Sequence, residues 1–227
     1  MSLLAKIKSR GYWEIVIRPT RFVEKRVENV LDLREIARSQ RVEIRGWDFP
    51  HYGHSDPKVA KDHIEQEVDF LRHVEAWRLY QSGLFIYMGG LRADWDEQDR
   101  PTGSYVRWVQ RPGEILRVAD TIWILTEAFE FAARLSMTGA GSDRMHVAAT
   151  LHGLEGRTLH MEIQSRYLSQ RPPVEGLSEF DLAEDFSRER LVAESKVLSL
   201  AWAREVFRRF GWDASPEILR EIQSQRA

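Results

Sequence analysis

Residues 75–92 read EAWRLYQSGLFIYMGGLR, and this stretch decides the class of fold. Two aromatic-rich runs flank Ser82-Gly83, a two-residue connection of the kind that β-hairpin turns favour. Side chains of a strand alternate between its two faces, which places Glu75, Trp77, Leu79 and Gln81 on one face and Arg78 and Tyr80 on the other. The stretch therefore predicts two antiparallel strands joined by a tight turn.

The residues before this hairpin predict a β–α–β opening. Residues 12–19 are rich in β-forming residues and end at a proline, residues 20–40 carry apolar residues near a helical period, and residues 41–49 alternate again. Such units usually cross over right-handed between parallel strands, so parallel pairing is expected here. Residues 59–74 fit a helix and a strand equally well, and both alternatives stay open.

After the hairpin, a helix apolar on nearly every side is predicted at 120–137, with Asp120 as its cap and Gly139 at its end. Residues 93–104 are acidic and rich in turn formers, which indicates a surface loop. The other predicted elements are strands at 105–110, 114–118, 144–153 and 157–162 and helices at 187–211 and 215–226.

This order of elements indicates an α+β (mixed α/β) fold with hairpin strands around a buried helix. We predict a core domain at 1–168, a linker-like segment at 169–176, and a helical segment at 177–227 that packs on the core.

Composition limits the classes of function. The chain has 227 residues, a formal net charge of −2 and no cysteine, which excludes disulfides, thiolate catalysis and cysteine-ligated zinc. A charge of −2 gives no general attraction to nucleic acid or to an acidic membrane, so such binding would need a local basic patch. No apolar run has the length of a membrane helix and the N-terminus does not resemble a secretory signal, so we expect a cytoplasmic protein without membrane contact.

The stretch RGWDFPHYGHSDP at 45–57 is the first candidate site. We interpret it as the end of a strand, in which Trp47 packs, Asp48 accepts hydrogen bonds from the backbone or an arginine, and Pro50 stops the pairing. An arginine–carboxylate network with neighbouring strands is expected around it. The candidate binding residues are Arg45, Trp47, Asp48, Glu75, Trp77, Arg78, Tyr80 and Gln81.

The same region offers an alternative, a metal-dependent hydrolase or nuclease. Histidine and carboxylate are the ligands that zinc or manganese would take in a chain without cysteine. The candidate ligands are His51, His54, Asp56 and His63, with Asp48 or Glu75 completing the set. The H-E-x-x-H spacing of zinc proteases does not occur, and no cofactor can be named from the sequence.

Arginines interleaved with aromatic residues suggest a nucleic-acid surface. Basic faces are predicted from Arg18, Arg21, Lys25, Arg26 and Arg34, and from Arg204, Arg208 and Arg209. Glutamates occur among them, so a solvated face of mixed charge is the competing interpretation.

Four stretches, taken in order, resemble an uncharacterised group of bacterial proteins of about this size: RGWDFPH at 45–51, EAWRLYQSGLF at 75–85, LTEAFEFAARL at 125–135 and RFGWD at 209–213. The resemblance implies no activity, but it implies an association with multi-gene systems that handle foreign DNA. The sequence shows no complete catalytic constellation and no nucleotide-binding loop, and it is rich in tryptophan. On these grounds we expect a non-enzymatic accessory or adaptor protein of a bacterial multi-component system, which binds a protein partner or nucleic acid through an arginine- and aromatic-rich surface.

Overall fold

A computed structural model describes residues 1–44, 46–53, 55–99, 111–161 and 173–225. The strands are β1 (Tyr12–Pro19), β2 (Val42–Glu43), β3 (Asp48–Phe49), β4 (Lys58–Val59), β5 (His63–Phe70), β6 (His73–Tyr80), β7 (Phe85–Gly90), β8 (Ile115–Arg117), β9 (Arg144–His152), β10 (Thr158–His160) and β11 (Glu179–Ser187). The helices are α1 (Leu3–Ile7), α2 (Asp32–Ser39), α3 (Val118–Ser136), α4 (Arg188–Arg209) and α5 (Pro216–Ser224), and a 3₁₀ segment spans Arg92–Asp99.

Within the described residues, seven strands form one antiparallel sheet in the order β11-β9-β1-β7-β6-β5-β4. Alternation along β1 buries Trp13, Ile15 and Ile17 on one face of this sheet, and α3 packs there. The helix is buried because it is apolar on nearly every side, while α4 packs against α3 and β11. The antiparallel sheet and its helices confirm the α+β class.

The opposite face of the sheet is covered in part by α1. Ile7 packs there with Val74 and Trp95, over the half-buried side chains of Tyr12 and Met88. The rest of this face, towards β9 and β11, carries alternating polar side chains, and we call it the open face.

The predicted β–α–β opening is wrong beyond its first strand. β1 has the predicted bounds, but residues 41–49 form two strands, β2 and β3, that pair with each other outside the large sheet. Gly46 has a φ of +66°, a left-handed conformation that suits a reversal of the chain. No parallel crossover from β1 is therefore formed.

The helix predicted at 20–40 is confined to α2. Before it, the backbone N–H groups of Arg26 and Val27 donate to the carbonyl of Gln81 and not to helical partners. The Thr20 N–H likewise donates to the carbonyl of Arg144, which extends the β1–β9 pairing by one residue. Tertiary hydrogen bonds replace the helical ones that the apolar period suggested.

The predicted hairpin is confirmed as β6 and β7, and residues 59–74 are mainly strand. The connection has three residues, not two, because the Tyr80 N–H donates to the Leu84 carbonyl and the Gly83 N–H donates to the Tyr80 carbonyl. Gly90, at the end of β7, allows a close approach: a Cβ on it would lie 2.5 Å from Nε1 of Trp95.

Three further predictions need correction. The stretch predicted as a surface loop at 93–104 begins with buried residues, Asp94 and Trp95. The central helix begins at Val118, with Arg117 and not Asp120 at its cap, and its C-terminal cap is Met137, before Gly139. The strand predicted at 157–162 is β10, which among the described residues spans only Thr158–His160 and pairs in parallel with β8.

The C-terminal segment predicted as helical at 177–227 opens with a strand, β11, that pairs along the full length of β9. Its two helices are as predicted, with the hydroxyls of Ser187 and Ser215 accepting from the N–H groups of Arg190 and Ile218. The strand predicted at 105–110 and the first half of the linker-like segment, residues 169–172, lie outside the described residues. None of the helices that the structure describes is long and apolar enough to cross a membrane.

Candidate functional site

Trp47 is packed between two histidines. Its indole ring stacks on His51 with 3.7 Å between centroids and on His73 with 3.8 Å, at interplanar angles of 15° and 17°. Because imidazoles cover both faces, this ring has no free face on which a nucleic-acid base could stack. The expectation that Trp47 packs is confirmed.

Glu75 joins the β2–β3 hairpin to the large sheet. Its side chain lies on the face of β6 that meets α3 and is 5% exposed. The Tyr87 hydroxyl donates to Oε2 at 2.8 Å, and Nε1 of Trp47 donates to Oε1 at 3.2 Å. Beside it, Nε1 of Trp77 donates to the His51 carbonyl at 2.7 Å. These bonds hold the Trp47 ring in place and connect the β2–β3 hairpin to the large sheet, so the cluster has a structural role.

Asp48 holds the turn that follows β3. Its carboxylate accepts from Nη1 of Arg41 at 2.6 Å and from Nδ1 of His51. Burial alone would raise the pKa of Asp48, but the bonds from His51 and Arg41 outweigh it and lower the pKa. The expected arginine partner is therefore present, and it is Arg41.

The other predicted binding residues do not join this cluster. Arg78 and Tyr80 lie on the opposite face of the sheet, where Nε of Arg78 donates to Glu65 at 3.0 Å. The Gln81 amide donates to the carbonyls of Val27 and Glu28, both at 2.8 Å. The predicted network across Asp48, Arg78 and Gln81 is wrong, since each binds a different neighbour, and Arg45 lies outside the described residues.

The candidate metal ligands are held in three separate places. His51 binds Asp48, whereas Asp56 pairs with Nη2 of Arg38 at 3.0 Å. Nδ1 of His63 donates a hydrogen bond to Oδ1 of Asp62 at 2.8 Å. The imidazole ring of His63 lies 4.6 Å from the Tyr80 ring, centroid to centroid. His54 is outside the described residues, and among those described no group of three or more histidine and acidic residues is arranged to hold a metal ion.

A basic surface lies where β1 ends and β9 begins. Arg18 and Arg144 occupy diagonal positions of this strand pair, and Arg21 and Lys25 are exposed in the loop that follows β1. None of these four side chains makes an ion pair with a described residue. We call these four residues the basic corner. The run RPTRFVEKR at 18–26 was a visible signal for it, but Arg144 comes from a strand far along the chain.

Two of the three C-terminal arginines that were predicted to form a second basic face are paired with an acid. Nε of Arg204 and Nε of Arg208 both donate to Oδ1 of Asp213, at 2.7 and 2.9 Å. Arg209 lies over the ring of Phe180, 4.7 Å from its centroid. The basic corner is therefore the better candidate for binding an anion.

Sequence reasoning missed a buried ion pair. Asp94 and Arg157 have side chains only 1% and 2% exposed and form two hydrogen bonds, at 2.5 and 2.9 Å. The backbone N–H groups of Gly11 and Gly113 also donate to Asp94, each at 2.9 Å. This pair ties the 3₁₀ segment, the β1 entry and β10 together, and it has no short-range sequence signal.

Comparison with known proteins adds no functional assignment. No protein-family model matches the sequence, and no curated protein or solved structure is significantly similar to it.

Proposed function

We propose that this chain is a non-enzymatic accessory protein that binds nucleic acid, with the basic corner contacting the phosphate backbone. The observation that carries the proposal is the set of four exposed cations without ion-pair partners among the described residues, in a chain of net charge −2. Phosphate contacts by arginine and lysine supply most of the affinity of sequence-independent binding.

The geometry of the corner supports a preformed binding surface. The Thr20 N–H donates to the Arg144 carbonyl at 3.1 Å, which holds the two strand ends together. The Arg26 guanidinium donates to the carbonyls of Arg21 and Gly141, at 2.7 and 3.2 Å, and so anchors the loop. A loop whose backbone is already held loses less conformational entropy on binding than a mobile loop does.

The local balance of charge is positive. Two exposed acids, Glu24 and Glu28, share the loop with the cations. Of the nearby acids outside the loop, Asp143, just before β9, pairs with Arg188, and Asp185 of β11 binds His146 at 2.7 Å. The four cations of the basic corner outnumber the two loop acids, so the corner attracts an anion that the chain as a whole does not.

Phe22 favours single-stranded nucleic acid as the ligand. Its ring is 78% exposed and directly follows Arg21 in the loop. An exposed aromatic ring beside cations is the arrangement on which unpaired bases stack. The bases of a duplex are stacked on one another and would gain little from it. The resemblance to proteins associated with foreign-DNA systems also supports a nucleic-acid ligand.

The proposal is tested by fluorescence anisotropy with a labelled single-stranded oligonucleotide of mixed sequence at low salt. The double variant Arg21→Glu/Lys25→Glu is expected to bind at least about tenfold more weakly than wild type. Phe22→Ala is expected to lose about tenfold for the single strand and little for the duplex.

The matched control is Lys8→Glu/Lys58→Glu, which makes the same change of charge at exposed positions outside the corner that form no ion pair with a described residue. It is expected to change the affinity by less than about threefold, since remote exposed charges are screened. An equal loss in the control, or no binding by wild type at low salt, would overturn the proposal.

A further inference from the structure

The two C-terminal helices form an apolar groove that the proposed nucleic-acid site does not use. Val197, Leu200 and Ala201 of α4 face Leu219 of α5 across a groove of about 430 Å³. Val197 is 65% exposed, although the other side of the same helix is packed against α3. Ala201 and Pro216, which also line the groove, are exposed as well, and a contiguous exposed apolar patch is typical of an interaction surface.

The groove has the pattern of a site for a third helix. Its lining residues on α4 are spaced by three, four and seven positions, from Val197 to Leu200, Ala201 and Arg204. On α5 the same spacing runs from Pro216 to Gln223. Two helices that present such faces side by side bind an amphipathic helix by its apolar stripe.

A hydrogen-bond network sets the width of the groove. The Gln223 amide donates to Oγ1 of Thr126 at 2.9 Å, to Oγ of Ser199 at 3.0 Å and to the Lys196 carbonyl at 3.1 Å. These bonds tie α5 to both α3 and α4, so the groove is formed before any ligand arrives.

The charges around the groove select the occupant. Lys196, Arg204 and Arg220 stand on its rim, and none of the described residues that line it is acidic. Lys196 lies 3.8 Å from Glu130 and Arg204 binds Asp213, whereas Arg220 makes no ion pair with a described residue. A ligand with carboxylates beside its apolar stripe would be complementary to this rim.

We propose that the α4–α5 groove binds an acidic amphipathic helix of a partner protein. Leucine-sized side chains of that helix would cover Val197 and fill the floor between Leu200 and Leu219, and its carboxylates would meet Arg220 and the other rim cations. This adds a protein-binding surface to the chain, made from none of the residues of the basic corner.

The test uses two designed peptides of about 15 residues, a length at which an isolated helix begins to be stable. Both carry leucines at helical spacing, and their remaining positions are glutamate-rich in one and lysine-rich in the other. Fluorescence anisotropy on the full chain is expected to show the acidic peptide binding at least about tenfold more tightly than the basic one.

Variants locate the binding. Val197→Glu and Arg220→Glu are each expected to weaken the acidic peptide by at least about fivefold, and Arg220→Glu should improve binding of the basic peptide. Val192→Glu is the matched control, because this residue is 49% exposed on the same helix but does not line the groove. Val197→Glu should leave oligonucleotide affinity unchanged, which separates this proposal from the first.

Three outcomes would overturn the inference: equal affinity for the two peptides, no binding of either, or equal losses in Val192→Glu and Val197→Glu. A fourth is a wild-type dimer in light scattering that Val197→Glu converts to a monomer. That result would assign the groove to a second copy of the chain.

Discussion

Replacing Asp94 by alanine is expected to destabilise the fold by about 4 kcal/mol, because it leaves the guanidinium of Arg157 buried without its counter-ion. Both side chains are almost completely buried, at 1% and 2% exposure, so water cannot replace the lost carboxylate. Removing one member of a buried ion pair costs far more than removing an exposed one.

The structure sets this magnitude within the range of about 3–5 kcal/mol for broken buried pairs. The N–H groups of Gly11 and Gly113 also lose their acceptor, which would add about 1 kcal/mol each if no water reached them. Against this, Arg157 still donates to the carbonyls of Ile115 and Gly153, at 2.7 and 2.5 Å. The two effects oppose each other, and a value near the middle of the range follows.

The assay is urea-induced unfolding followed by tryptophan fluorescence and circular dichroism, with free energies from linear extrapolation. Asp94→Asn keeps one carbonyl acceptor and is expected to fall between wild type and alanine. The double variant Asp94→Leu/Arg157→Met removes both charges and is expected to be more stable than Asp94→Ala alone.

The matched control is Arg190→Ala, which breaks an ion pair with Glu184 in which both side chains are 47% exposed. Its expected cost is below about 1 kcal/mol. The reasoning would be refuted by a cost of less than about 1 kcal/mol for Asp94→Ala, or by a double variant Asp94→Leu/Arg157→Met that is no more stable than Asp94→Ala.

Asp48→Asn tests how the free energy of unfolding depends on pH. The pKa of Asp48 is lower in the folded state than in the unfolded state, so its charged form stabilises the fold above about pH 4. This stabilisation is lost as the pH falls through the lower folded-state pKa. The difference in urea midpoint between wild type and variant should therefore shrink in that window, and a difference independent of pH would contradict the assignment. Gly83→Ala should destabilise by more than about 1 kcal/mol, since φ is +84° and a Cβ would lie 1.9 Å from the Ala140 carbonyl oxygen; an unchanged Tm would argue against it. Ser187→Ala should cost about 1 kcal/mol in urea unfolding through loss of the α4 cap, and Ser224→Ala, outside any N-cap, should cost almost nothing.

Some features of this fold could be predicted from the sequence because they are formed by residues that lie close together in the chain. The alternation of β1, the paired aromatic runs of β6 and β7, and the serine caps of α4 and α5 were all visible. The helix predicted at 20–40 failed because hydrogen bonds to Gln81, far along the chain, replace its helical bonds. Its apolar period was real, but Val27 meets the core from a loop.

The candidate sites were harder to predict because they depend on pairs distant in sequence. Trp47 was recognised as a packed residue, yet the second ring that covers it belongs to His73 on another strand. Arg144 completes the basic corner only because β9 pairs with β1. The exposed side of β11 carries acidic residues, and the long helical pattern of α4 follows it directly in the sequence. For these reasons the alternation of Phe180, Leu182 and Phe186 was not recognised as a strand.

The salt dependence of oligonucleotide binding tests the central claim most directly. Four phosphate contacts from the basic corner predict a slope of about −2.8 in a plot of log K against log salt concentration for a single strand. Arg21→Ala/Lys25→Ala should reduce it to about −1.4, because two contacts are removed. A wild-type slope near zero, or a slope that these substitutions leave unchanged, would contradict the account.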